Sequence, residues 1–197
     1  MKSESKAKPY HHGDLFEAVL DDAERCVEQG GLESVSLRGT AKSLGVAHSA
    51  VFRHFSDKRH VLTELAVRSA RRMTTVIDSE VNRASPKGKF LAAGLAYVNF
   101  AKSNPGPFRV VFREDLINAS DPKYLEAVSG LAAILALGGH GGGNDLKLSP
   151  KALLAWSSVH GIATLCVDGS LTRDIPEGKF EDLIKKSLRQ LGPILQS

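Results

Sequence analysis

The sequence predicts an all-α fold: a small N-terminal unit of three helices containing a helix-turn-helix, followed by a larger C-terminal helical bundle. Three observations carry this. Apolar residues recur at helical spacing, as at Leu15, Val19, Ala23 and Val27. No convincing strand pattern appears. Helix punctuation repeats along the chain, with Ser36 and Asp57 where N-caps belong and glycines after the periodic runs at 30–31 and 45.

Taken in order, Asp14 is placed to cap a first helix to about Gln29, which "GG" ends. Ser36 opens a short helix, "LRGTAKSL", that Gly45 stops, and a second short helix spans 48–54. Asp57 caps a long helix from Lys58 to Arg83. Pro86 marks the start of a helix to about Ser103, which "NPGP" at 104–107 breaks. Helices over 108–118 and from Pro122 to about Leu137 follow. "GGHGGGND" at 138–145 reads as a loop; with no strand before it and no Lys-Ser/Thr after it, a phosphate-cradle reading is weak. Helices over 150–168 and 177–191 close the chain. The division expected is residues 1–57 for a basic arm and the helix-turn-helix, 58–85 for a connecting helix, and 86–197 for a larger helical bundle.

Composition is that of an ordinary globular chain: 197 residues, 42% apolar and 24% charged, with a net charge of +4. No apolar run is long enough to span a membrane, and the polar start, "MKSESKAKPYHHGD", lacks the apolar core of a secretory signal. Cys26 and Cys166 read as reduced thiols, which fits the cytoplasm. The distribution of charge says more than its sum. Residues 14–33 hold one basic and seven acidic residues, 1 − 7 = −6, whereas residues 36–72 hold eight basic and two acidic, 8 − 2 = +6. Opposite blocks polarise the N-terminal unit, with one face towards a polyanion.

In the helix-turn-helix, Ala41, Leu44, Val46 and Val51 supply the small and apolar residues for the helix crossing, and Gly45 supplies the turn. His48, Ser49, Ala50, Phe52 and Arg53 are then shared between solvent and partner, bracketed by Lys58 and Arg59. This fits a recognition helix in a major groove with neighbours on phosphates. A solvated basic face on a helical adaptor, binding acidic proteins, is the alternative.

The stretch "VSLRGTAKSLGVAHSAVFRHFSDKRHVLTELA" resembles the DNA-binding module of the TetR family of transcriptional regulators, over about residues 10–70, and "KPYHHGDL" resembles the entry to its first helix. "WSSVHG" at 156–161 resembles the Trp-His-Gly signature of one subgroup of TetR-type regulatory domains. The resemblance implies a homodimeric repressor on a pseudo-palindromic, double-stranded DNA operator, released by an unknown small-molecule effector. It also gives the 86–197 bundle the regulatory and dimerisation roles. The residues themselves give no expectation of enzyme activity, cofactor, metal or membrane partner. Ser36 and Arg38 fall on phosphate or groove contacts, and His48, Ser49 and Ala50 on base-reading positions. Phe52 stands where a tyrosine usually meets phosphate, with His54 and Lys58 on further phosphate positions and Arg53 beside them. The arm lysines Lys2, Lys6 and Lys8 have the charge to reach a minor groove.

Three residues depart from the pattern. Ala47 replaces the usual Ser/Thr cap, a loss of about 1 kcal/mol. Phe52 lacks a hydroxyl, and Ala50 offers only a methyl, suited to a thymine methyl. For the effector, Tyr97, Phe100, Phe108, Phe112, Leu116, Leu131, Leu135, Trp156 and His160 are pocket candidates, with core packing the competing role. Trp156 and His160, four apart, share a helix face. Arg109 and Arg113 read as salt-bridged rather than ligand-facing. Ala155, Ser158, Gly161 and Ala163 are small enough for close helix pairing between two copies. The histidines show no HExxH spacing, and no base is obvious beside Cys166 in the sequence.

Overall fold

The computed structural model of the chain describes residues 12–135, 149–171, 173 and 175–196. The basic arm, His11 and the glycine-rich 138–145 segment lie outside the described residues. Regular structure among the described residues is entirely helical: α1 (His12–Gly30), α2 (Leu37–Leu44), α3 (His48–Phe52), α4 (Lys58–Arg83), α5 (Lys89–Ser103), α6 (Pro105–Val111), α7 (Pro122–Leu135), α8 (Pro150–Val167) and α9 (Glu177–Gln196). Short 3-10 turns cover Leu32–Ser34 and Pro86–Gly88. No described helix is long and apolar enough to cross a membrane.

The expected caps are in place. The Ser36 hydroxyl accepts a hydrogen bond from the Gly39 amide, and the Asp57 carboxylate accepts one from that of His60 at 2.8 Å. Gly45 has φ 66°, the left-handed conformation that closes α2. Asp14, by contrast, does not start α1, which begins two residues earlier at His12.

The larger correction concerns "NPGP" and the helix expected over 108–118. The motif opens α6 rather than preceding it. Pro105 takes the first turn, where a missing N–H costs nothing, and Asn104 joins the end of α5 to the start of α6. Gly106 lets α6 lie against α1: a Cβ there would stand 2.9 Å from Val27 Cγ1 and 3.2 Å from the Glu28 amide nitrogen. α6 stops at Val111, after which the Phe112 and Arg113 amides donate in tighter turns to the Arg109 and Val110 carbonyls. The Tyr124 hydroxyl donates to the Val111 carbonyl at 2.8 Å, and the Asn118 amide donates to Thr63 Oγ1 at 2.9 Å.

Two hydrophobic clusters meet along α4. Val61, Leu62, Leu65, Ala66, Val67 and Ala70 pack with α1–α3, and Val110, Val111, Ile117 and Tyr124 close the same cluster from the far side. Met73, Ile77 and Val81 pack into a second cluster with α5, α8 and α9. One rigid helix therefore runs through both cores.

Candidate nucleic-acid interface

The short α3 is held by its buried side. Val51 and Phe55 are fully buried; the Phe55 ring stacks on Phe16 at 4.8 Å and meets His60 edge-on at 5.3 Å. As the sequence implies, Ala47 gives α3 no side-chain cap. A polar clamp that the sequence does not reveal joins α1 to α2. The Ser43 hydroxyl donates to the buried Asp22 carboxylate at 2.7 Å, and Arg25 donates to both Ser43 and Asp22. A buried carboxylate without donors would be costly, so this cluster fixes how α2 sits on α1.

With Val51 inward, the rest of α3 falls into two ridges at i, i+4 spacing. His48 and Phe52 form one, with ring centroids 4.3 Å apart. Ser49 and Arg53 form the other. All four are exposed, Phe52 at 44%. Ala50 is half-buried against the core, so its methyl is less available than the sequence suggests. His54 is also half-buried, edge-on to Phe16 at 6.4 Å.

Ser36 and Arg38 are exposed on α2. Lys42, one turn after Arg38, extends the same face, and its i, i+4 spacing is the signal that sequence reasoning left unused. Arg38, Lys42 and Arg53 have no ion-pair or hydrogen-bond partner among the described residues. Lys58 is already engaged: its ammonium donates to the Glu33 carbonyl at 3.1 Å and pairs with the Glu33 carboxylate at 3.3 Å.

Where α4 leaves this unit, the arginines are paired. Arg68 meets Asp21 and Glu24 at 2.6 Å each and Glu17 at 3.5 Å. Arg72 bonds Glu24 and Asn104 at 2.7 Å. A cleft of about 350 Å³ opens between α1 and α4 along this network.

In the second core, aromatic side chains gather around His160. Phe112 is 4.5 Å away, Phe108 and Trp156 are each 5.7 Å away, and the buried Tyr97 shares a 2.8 Å hydrogen bond between its hydroxyl and His160 Nδ1. Burial holds the His160 pKa below the ordinary imidazole value and pushes that of Tyr97 up. Trp156 is 38% exposed, so the cluster reaches the surface. Phe100 and Leu131 are buried in the same core, and Phe100 lies under the Arg72 guanidinium at 5.9 Å. Leu116 instead packs half-buried against the first core, and the Leu135 side chain lies outside the described residues. Arg109 donates to the Val167 carbonyl and Arg113 pairs with Asp115, both at 2.8 Å. Both cysteines are free, with pKa values raised chiefly by burial.

Leu153, Leu154, Trp156 and Leu165 of α8 and Leu183 of α9 are exposed. Ser158 and Gly161 lie beside them, and a Cβ on Gly161 would meet open space. Ala155 and Ala163, expected to let a second copy approach, are buried inside the chain instead, Ala163 within the second core.

Residues 19–65 match the family model for bacterial regulatory proteins of the tetR family, and residues 90–191 match that for the tetracyclin repressor-like C-terminal domain. The HTH-type transcriptional repressor AcnR of Corynebacterium diphtheriae is 36% identical over 59 residues, 30% of this chain and 31% of that protein. The HTH-type regulator YobS of Bacillus subtilis is 28% identical over 88 residues, 45% of this chain and 46% of its own length. The chain thus spans about a third to a half of the curated relatives it matches. A protein of unknown function from Rhodococcus sp. RHA1 shares the whole fold, with a TM-score of 0.78, 28% identity, and coverage of 96% of this chain and all of the other.

Proposed function

This chain belongs to the tetR family of bacterial regulatory proteins, and from that premise we propose that it is a homodimeric repressor of transcription that leaves its operator when a small molecule occupies the C-terminal bundle. The observation that carries the DNA reading is the set of unpartnered cations on α2 and α3. A guanidinium with no internal carboxylate is available to phosphate or to a base edge. Arg38 and Lys42 face phosphates, and Ser36 keeps a hydroxyl proton to donate. His48, Ser49 and Arg53 face base edges. Lys58 exchanges Glu33 for phosphate, and His54 supports the end of α3.

Pairing of two copies is supported by the exposed leucines of α8 and α9, an apolar surface that water does not favour. A two-fold pair would set its recognition helices about 34–36 Å apart, one turn of duplex, and so read a pseudo-palindrome. The effector reading is supported by the cluster around His160, where Tyr97, Phe108, Phe112 and Trp156 offer flat apolar contact beside one hydrogen-bonding pair; Phe100 and Leu131 back it from the core. Occupancy there shifts α5 and α8 against α4, and the helix common to both cores carries the shift to the helix-turn-helix.

Selection of bound fragments from the source genome tests this. The expected result is enrichment of one two-fold symmetric sequence. Recovery no different from random DNA returns the basic face to the adaptor role.

A further inference from the structure

We propose that Phe52, braced by His48, reads the 5-methyl group of a thymine, so that each operator half-site contains a thymine recognised through its methyl rather than its hydrogen-bonding edge. This rests on the operator-binding reading and specifies how the surface discriminates. Phe52 is 44% exposed, on a helix whose neighbouring Val51 is fully buried. It is therefore not a core residue that happens to graze solvent. Its ring is tilted against the His48 ring, with centroids 4.3 Å apart, so the imidazole braces one side of an exposed phenyl. In the major groove the bases are otherwise told apart by donors and acceptors, and the thymine methyl is the one apolar group that projects from a base edge.

The adjacent ridge, Ser49 and Arg53, supplies the polar reading. Ala50, the other apolar candidate on α3, is half-buried against the core and yields the methyl contact to Phe52. A phenylalanine also suits this place better than a tyrosine would, because a phenol turned onto a methyl leaves its hydroxyl to find a new partner.

The probe is the operator obtained by fragment selection, with single thymines replaced by deoxyuridine. That change removes the methyl and leaves pairing and hydrogen-bonding edges intact. At one symmetric position per half-site the wild-type protein should lose about fourfold in affinity, the worth of one buried methyl, and about fifteenfold when both half-sites are changed. Phe52→Ala should bind the thymine and uridine duplexes equally. The wild-type series stands without any variant, and Phe52 is exposed enough for its truncation to leave the core intact. Uridine duplexes that all bind wild type like the parent would overturn the proposal, as would a uridine penalty undiminished in Phe52→Ala. Failure to distinguish the selected fragment from random DNA would instead remove the operator reading itself.

Discussion

The cations of the helix-turn-helix and those of the following long helix share one chemistry and stand in opposite conditions. Arg38, Lys42 and Arg53 project without an internal partner, whereas Arg68, Arg71, Arg72 and Arg83 of α4 are all matched to carboxylates. A net count of charge treats the two groups alike. Geometry separates them: α4 lies alongside the acidic α1, whose Glu17, Asp21 and Glu24 take up Arg68 and Arg72, while Arg71 meets Glu126 of α7 and Arg83 meets Glu80 one turn back on α4. The first group is left for an external polyanion, and the second is taken up in pairs within the chain.

The comparison predicts separable defects. The largest is in stability. Glu24→Ala deprives both Arg68 and Arg72 of a carboxylate that is only 17% exposed. It should cost about 2 kcal/mol, less than a fully buried pair because the arginines keep some solvent. Thermal unfolding should then start roughly 4–8 °C lower. Arg53→Ala should behave in the opposite way, leaving the melting temperature within a degree or two and lowering operator affinity about tenfold in binding titrations. A comparable loss of stability in both variants would dissolve the distinction.

A smaller effect comes from the neutral side of the molecule. Burial lowers the His160 pKa from the ordinary 6.5, so the folded protein binds fewer protons there than the unfolded chain. Its contribution to stability is full above about 6.5 and is lost as pH falls through that value towards the lower folded pKa. His160→Gln should therefore flatten the fall in melting temperature between pH 7.5 and pH 5.5. The smallest effect belongs to Arg71→Ala. Its pair with Glu126 is exposed on both sides, and removing it should change stability by less than about 0.5 kcal/mol.

Most of the fold was legible because it is written in local rules. Ser36, Gly45 and Asp57 act through their own backbone neighbours, so the two short helices and the start of α4 could be placed from spacing alone. What was not legible depends on partners distant in sequence. "NPGP" does end α5, but that it also opens α6 against α1 shows only when Gly106 is seen against Val27 and Glu28. Ala155 and Ala163 look like interface residues until α8 is seen to turn them inward. Of the candidate DNA surface, the exposure of His48, Ser49, Phe52 and Arg53 follows from the period of a helix that buries Val51. The commitments of Lys58 to Glu33, of Ala50 to the core and of His54 to Phe16 do not, since each is a tertiary contact. Pairing of Trp156 with His160 was visible at i, i+4; the Tyr97 hydroxyl 63 residues away was not.

The most direct test is the salt dependence of operator binding in three variants. Each phosphate-neutralising cation lost should reduce the slope of log affinity against log salt by about 0.9, hence by about 1.8 for a dimer that carries the change in both copies. The prediction is that slope change for Arg38→Ala and for Lys42→Ala, and an unchanged slope for Arg71→Ala. An equal change in all three, or none in the first two, would contradict the assignment of the unpartnered cations to DNA.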